Sequence, residues 1–584
     1  MMKPKRFIAL LCALSAGIWR LGAAESSYPV TFENNVAVKM RDGTTLRADI
    51  YRPKADGRFP VIIERTPYDK YSNLGDGLKA AARGYVFIIE DVRGRNASEG
   101  EWYPFKHEGA DSYDSVEWAA ALPYSTGKVG MVGGSYVGVP QMLGAVEAPP
   151  HLVAIYPGIT ASDYHGHWAY QGGAFCQLLA QAWASVLSVN EMSRQVSGSV
   201  LPSHWDLTLP PAQYPLIEPG ARTGLAAYYF DWIAHPAYDE YWSQWSIEEH
   251  YGKVRVPALH LGAWYDLFQP GTLRNYQGIR EHGATEEARR GQRLLVIPGG
   301  HAGFGRKVGD VDFGEGSVLD TWEIGMRWFD WMLKGEDNGM SREKPVKIFV
   351  MGINQWRDED EWPLARAKPT RQYLHSAGSA NSSSGDGRLG ADLPSTESGD
   401  SYLDDPEDPV PTHGGAILGD TGKFPPGPLD QKGIEARRDV LVYTGPVLAK
   451  DTEVTGPVSL ELYLRSTAVD TDMTGKLVDV WPNGFCENLT DGILRVRYRN
   501  SMAKAELMKP GEAYRVLVDL CSTSNVFLAG HRIRLEVASS NFPRFDLNPN
   551  SGENPETARV RLRATNTVLH DAAHPSAIIL PLVP

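Results

Sequence analysis

Short apolar runs separated by turn residues open the chain. Val36 to Met40, Leu46 to Tyr51, Val61 to Glu64, Val86 to Ile89 and Val129 to Val132 read as strands of one sheet, and Gly77 to Arg83 between two of them is helix-compatible. From Ala161 to Trp245 this pattern stops. The segment is helical in places, is broken by a proline cluster near Leu209 to Pro215, and has 15 aromatic residues in 85, against 10% in the whole chain. It reads as a helical cap whose aromatics either line an acyl pocket or form the cap's own core; Trp168, Trp183, Tyr228, Tyr229 and Trp232 are the candidates. The α/β pattern resumes at Val254, with strands over Val254 to Gly262 and Arg293 to Pro298 and a helix over Ser317 to Leu333. Beyond about Pro345 the texture changes to short alternating strands, such as Val346 to Met351, Val458 to Leu464 and Arg532 to Val537, with no long helix, which predicts a β-sandwich. Ser376 to Ser401, full of Gly, Ser and Asp, reads as a long surface loop.

The first 24 residues follow a different plan. Lys3, Lys5 and Arg6 form a basic start, Phe7 to Trp19 an apolar stretch, and Gly22-Ala23-Ala24 a small-residue cleavage site, as in a secretory signal peptide. The apolar part is short of the about 20 residues a spanning helix needs, and no later segment offers a membrane span. The expected organisation is therefore a signal peptide over 1–24, a catalytic domain over 25–160 and 246–344, a cap over 161–245 and a β-sandwich over 345–584. Export to the periplasm or medium follows from that leader.

Composition narrows the function. A formal net charge of −13 without a basic stripe argues against nucleic-acid and anionic-membrane partners. Cys176, Cys486 and Cys521 follow the leader; an odd number gives no disulfide framework, although a single Cys486–Cys521 bridge is open in an oxidising compartment. Asp470-Thr471-Asp472-Met473-Thr474-Gly475 imitates the start of an EF-hand loop, but Trp481 stands where the loop needs Glu, so no calcium site is expected. No cofactor or metal is called for. Homo-oligomerisation is left open.

The candidate chemistry lies at strand ends. In Met131-Val132-Gly133-Gly134-Ser135-Tyr136-Val137-Gly138 a buried strand breaks into a glycine-flanked turn and then a helix, the context of a nucleophile elbow. The spacing is G-x-S-x-x-G rather than the commoner G-x-S-x-G, and alone it equally suits a turn whose serine caps the helix. Two later strand ends change the balance. One leads into Ala263-Trp264-Tyr265-Asp266 and the other into Gly299-Gly300-His301, in the Ser, Asp, His order of α/β-hydrolases. His301 would act as general base to Ser135, and Asp266 would hold its imidazole in the productive tautomer. His107 and His260 are weaker rivals, since His260 lies inside a strand. The backbone N–H of Tyr136 is the usual first oxyanion donor. No HGGG-type loop follows the strand Val61 to Glu64; the run is Arg65-Thr66-Pro67-Tyr68-Asp69-Lys70, where the Tyr68 hydroxyl either replaces the missing donor or belongs to a packed aromatic.

With these motifs the chain resembles the cocaine-esterase-like (CocE/NonD) serine hydrolases, a family that includes glutaryl-cephalosporin acylases, α-amino-acid ester hydrolases and Xaa-Pro dipeptidyl-peptidases. The matching segments are RTPYDK at 65–70, DVRGRNASEGEW at 91–102, GGSYVG at 133–138, AWYDLF at 263–268, PGGH at 298–301, LVDVWPNG at 477–484, LTDGILRVRYR at 489–499 and SNFPRFDLNPNSGENP at 540–555. The resemblance implies an α/β-hydrolase fold with an inserted helical cap and a C-terminal jelly roll. It also implies a Ser135, Asp266, His301 triad and an oxyanion hole of Tyr68 with the Tyr136 amide. Trp168, Trp183, Trp264 and Phe268 are the candidate pocket residues. Unlike the α-amino-acid ester hydrolases, the chain follows Asp266 with Leu267, Phe268 and Gln269, so no carboxylate is there to hold a substrate ammonium. Longer Xaa-Pro dipeptidyl-peptidases carry an additional N-terminal domain, whereas strands here begin by about Val30. The expected activity is a serine hydrolase cleaving esters or amides of small molecules. The alternatives are a dipeptidyl-peptidase and, in another class, a surface glycan-binding protein with an inert hydrolase domain.

Overall fold

The computed structural model describes residues 27–197, 225–301, 303–418, 423–555 and 557–584. The expected signal peptide and the proline cluster near Leu209 to Pro215 lie outside the described residues.

A ten-stranded sheet carries the first half of the chain. Its strands are β1 (Val30–Lys39), β2 (Thr45–Pro53), β3 (Phe59–Thr66), β4 (Val86–Asp91), β5 (Ser125–Gly134), β6 (Leu152–Gly158), β7 (Leu259–Tyr265), β8 (Arg293–Gly300), β9 (Val346–Val350) and β10 (Gln355–Glu359). They lie side by side as β1-β2-β4-β3-β5-β6-β7-β8-β9-β10. The strands from β4 to β9 run parallel, with antiparallel β1 and β2 at one edge and β10 at the other. Parallel strands covered on both faces need near-continuous apolar runs, and β4 (VFIIED) is buried at every position. The covering helices are α1 (Leu74–Ala82), α2 (Glu108–Ala120), α3 (Gly138–Glu147), and, after the cap, α6 (Gln269–His282) and α7 (Thr321–Phe329). The cap contributes α4 (Gln177–Ser197), α5 (Ala227–Ala234) and a small hairpin of Tyr170–Gln171 with Ala174–Phe175.

The sheet to which Val346 to Val350 belongs differs from expectation. Val346 to Val350 was expected to open the β-sandwich, yet β9 pairs in parallel with β8 and carries β10, so the first sheet runs on to Glu359. An apolar strand buried on both faces has the same residue pattern in either kind of sheet, which is why its texture misleads. The second sheet has eleven strands: β11 (Lys368–His375), β12 (Arg388–Gly390), β13 (Asp400–Asp404), β14 (Leu441–Thr444), β15 (Thr452–Ser466), β16 (Asp472–Val480), β17 (Cys486–Arg495), β18 (Ala513–Phe527), β19 (Arg532–Ala538), β20 (Ala564–Leu569) and β21 (Ala577–Val583). Ladders in it are antiparallel apart from one β12–β14 contact. The expected surface loop from Ser376 to Ser401 is only partly one. It contains β12, and its Asp400 is fully buried, accepting hydrogen bonds from Ser376 Oγ at 2.7 Å and Tyr443 Oη at 2.8 Å. Cys176, Cys486 and Cys521 are free thiols, so the Cys486–Cys521 bridge left open above does not form. In the EF-hand-like run, Asp470 accepts from Arg497 at 2.6 Å and Asp472 from Arg495 at 3.0 Å.

The halves meet over a wide seam. The cap hairpin packs against β17 so closely that a Cβ on Gly172 would lie 1.9 Å from the Ile493 carbonyl oxygen. From the catalytic side, the Gln269 side chain behaves like a strand residue: its Nε2 donates to Ser522 O at 2.7 Å and its Oε1 accepts from Ser522 N at 3.0 Å. Tyr265, beside it, donates to Asn488 O at 3.2 Å and faces the buried Glu487 carboxyl.

Candidate active site

Ser135, Asp266, His301 and Tyr68 all lie just past the carboxyl ends of parallel strands, where open α/β sheets place their ligands. At the end of β5 the backbone of Ser135 takes the left-handed conformation, φ +58°, before the chain turns through Val137 into α3. Such a conformation costs a non-glycine residue of order 1–3 kcal/mol and lifts the side chain off the sheet. Both motif glycines are needed for contact reasons. Gly133 has φ +136° and a Cβ there would lie 2.2 Å from Val137 Cγ1; a Cβ on Gly138 would lie 2.7 Å from Thr160 Cβ. The second contact explains the G-x-S-x-x-G spacing, because it is Gly138, one residue later than usual, that packs against the chain leaving β6.

The three expected triad side chains form one hydrogen-bonded chain. His301 Nε2 is 2.9 Å from Ser135 Oγ, and His301 Nδ1 is 2.7 Å from Asp266 Oδ1. Asp266 has no side-chain exposure and His301 7%, so little solvent separates the pair. The rivals are elsewhere: His260 is buried against Gln292 at 2.8 Å, and His107 precedes α2.

Tyr68 lies on the loop after β3, which is pinned by Tyr68 N donating to Thr66 Oγ1 at 3.1 Å and Lys70 N to Asp91 Oδ1 at 2.9 Å. Its hydroxyl neighbours Ser135 and accepts a hydrogen bond from Trp183 Nε1 at 3.0 Å; burial pushes the phenol up to about 12, so it stays protonated. Tyr136 is wholly buried. Its hydroxyl accepts from Phe105 N at 3.0 Å and donates to Glu108 Oε1 at 3.0 Å, which anchors the residue whose amide follows Ser135. Arg65, three residues before Tyr68, donates to Glu108 Oε2 at 3.0 Å and to Glu90 Oε1 at 2.6 Å. Burial pushes the Glu108 carboxyl up to about 7. Both expected oxyanion donors thus rest on one buried polar network.

Of the four pocket candidates, three gather at the site. Phe268 meets the His301 ring edge-on at 5.1 Å, Trp168 stacks on Phe268 at 4.4 Å, and Trp183 is 5.5 Å from both Trp168 and Tyr136. Trp264 is corrected. It lies in the core under the second sheet, its Nε1 donating to Phe349 O at 2.7 Å and its ring 5.6 Å from Trp362. Sequence proximity to Asp266 is no guide here, because β7 is still a buried strand at Trp264. A narrow crevice adjoins Trp168 and Leu267 and is bounded by Leu179, Ile417, Leu418 and Arg544. Arg544 is neutralised there by Asp491 at 2.5 Å. Sequence reasoning missed Arg95, Trp102 and Glu108, although the first two stand in the DVRGRNASEGEW segment. Arg95 is buried over the Trp102 ring, 5.0 Å from its centroid, and a charged residue among motif glycines was the available signal.

Comparison with known proteins gives a consistent picture. Residues 42–303 match the X-Pro dipeptidyl-peptidase (S15 family) model, and residues 338–579 the X-Pro dipeptidyl-peptidase C-terminal non-catalytic domain. Cocaine esterase from Rhodococcus sp. (strain MB1 Bresler) is 38% identical over 94% of this chain and 98% of its own length. Among solved structures, an aminopeptidase from the marine sediment archaeon Thaumarchaeota archaeon superposes with a TM-score of 0.80 at 23% identity, over 98% of this chain and 99% of that one. An α-amino acid ester hydrolase superposes with a TM-score of 0.78 at 23% identity, over 96% and 98% of the two chains.

Proposed function

Because the chain belongs to the cocaine-esterase-like (CocE/NonD) serine hydrolases, enzymes acting on ester or amide bonds, we propose that Ser135 is its nucleophile and that small esters with an uncharged, apolar acyl group are its substrates. The observation that carries the reading is the unbroken Ser135–His301–Asp266 hydrogen-bonded chain beside the protonated Tyr68 hydroxyl. His301 takes the Ser135 proton as Oγ adds to the carbonyl carbon, and Asp266 stabilises the imidazolium. The carbonyl oxygen becomes an oxyanion that accepts from the Tyr136 amide and the Tyr68 hydroxyl. Collapse expels the leaving group, which receives the proton from His301, and water then repeats the sequence to free the acid and restore Ser135.

Ester rather than peptide preference rests on the wall of the site. Aromatic rings of Trp168 and Phe268 line it, and the three residues after Asp266 supply no carboxylate; Gln269 is spent on Ser522. The name of the cocaine esterase relative supports an ester as substrate. The catalytic half reads as an α/β-hydrolase fold and the second sheet as a jelly roll, and the leader over 1–24 supports export. A fluorophosphonate probe should label wild type and leave Ser135→Ala unlabelled, and p-nitrophenyl esters should be hydrolysed faster than Xaa-Pro anilides. Anilide turnover exceeding ester turnover would establish the dipeptidyl-peptidase reading instead, and absence of labelling would end the enzyme reading.

A further inference from the structure

Trp183 stands on α4, in the cap, yet its indole nitrogen is 3.0 Å from the Tyr68 hydroxyl on the catalytic domain. An indole N–H only donates, so the Tyr68 oxygen is the acceptor. The phenol has one proton, and with the indole donating to its oxygen that proton is left for its other hydrogen-bonding neighbour, Ser135. A hydroxyl that accepts a hydrogen bond in a buried setting is also a stronger donor, since linked hydrogen bonds polarise one another. The contact therefore sets both the direction and the strength of the Tyr68 O–H.

A second tie joins the same two elements. Arg95, on the loop after β4, donates from Nε to the carbonyl of Pro67 at 3.1 Å and from Nη1 to the carbonyl of Leu187 at 3.3 Å. Pro67 directly precedes Tyr68, and Leu187 is one helical turn beyond Trp183. Arg95 also approaches Glu191 Oε2 at 3.8 Å, further along α4. The cap helix is thus fastened to the Tyr68 loop at two points, the hydroxyl itself and the carbonyl just before it.

The geometry points to Trp183 as a positioning residue whose indole N–H aims the Tyr68 hydroxyl at the reacting oxygen, so that the cap helix, clamped by Arg95, completes the oxyanion hole. This rests on the reading of Tyr68 as an oxyanion donor. A pocket wall would behave differently: its loss would weaken binding in proportion to the size of the acyl group, whereas loss of a positioning contact slows acylation whatever the acyl group and does nothing once the Tyr68 hydroxyl is gone.

Stopped-flow acylation by p-nitrophenyl acetate and p-nitrophenyl benzoate gives the acylation rate constant and the substrate dissociation constant separately. The variants are Trp183→Phe, Tyr68→Phe and the pair. Trp183→Phe should slow acylation about 10-fold with both esters, less than the roughly 10²-fold expected for losing an oxyanion donor outright, with dissociation constants changed less than about 2-fold. It should add nothing in the Tyr68→Phe background. Additive losses, or a loss confined to the dissociation constant and larger for benzoate, would overturn the inference while leaving the oxyanion role of Tyr68 intact. An unchanged rate for Tyr68→Phe alone would remove that role and this inference with it. Should Trp183→Phe fail to fold, Arg95→Gln replaces it in the same cycle, with the same non-additivity expected and additivity equally decisive against.

Discussion

At the scale of single residues, the site depends on a serine held in a conformation it does not favour. Ser135 reaches φ +58° because Gly133 lets Val137 fold back over it. Gly133→Ala, which would place a methyl group 2.2 Å from Val137 Cγ1 at φ +136°, should displace Ser135 and cost about 10²-fold or more in kcat, measurable with a p-nitrophenyl ester. Tyr68→Phe should lower the acylation rate by roughly 10²-fold or more with KM little changed, and an unaltered rate would take Tyr68 out of the mechanism. Ser135, Asp266 and His301 were legible in the sequence because each follows a recognisable strand, so local pattern and chain order suffice. Trp264 was misread for the opposite reason: which side of β7 a ring faces depends on the sheet packed over it, and that contact comes from residues about 85 positions later. Trp183 was read as pocket wall, and only its distance to Tyr68 exposes the other role.

At the scale of elements, buried charge decides more than length. Arg495 ends β17 fully buried between Asp472 on β16, at 2.9 Å, and Asp546, at 2.8 Å. Removing one partner of such a group strands the others, so Arg495→Met should destabilise the protein by about 3–5 kcal/mol in urea unfolding. A loss below about 1 kcal/mol would mean that the site opens to water. The central strands of the first sheet were legible as apolar runs, and α7 as a helix. The assignment of β9 was not, since Val346 to Val350 lacks the alternation that would show one face in water. Nor does the sequence reveal that α4 reaches the oxyanion loop, because the Arg95 contacts bridge segments about 90 residues apart.

At the scale of the whole molecule, the second sheet turns a buried acidic pair towards the first. Glu487 on β17 lies beneath Tyr265, accepts from Trp481 Nε1 at 3.0 Å, and is pushed up to about 8 by burial and by nearby Asp479. A carboxyl whose folded pKa exceeds its ordinary value of 4.5 holds a proton that the unfolded chain has already released. Its contribution to stability is full below pH 4.5 and drains away as pH rises towards 8. Glu487→Gln keeps the uncharged shape at every pH, so its Tm relative to wild type should climb between pH 5 and pH 8. A constant difference across that range would show that Glu487 is ionised in the folded protein.

The Gln269–Ser522 pairing gives this arrangement a practical meaning. The loop that holds Asp266 is stitched to the second sheet, so a slight parting of the halves slackens the triad before any strand is lost. The seam behaves as a fuse: on slow heating, turnover should fail at a lower temperature than the far-ultraviolet circular dichroism signal.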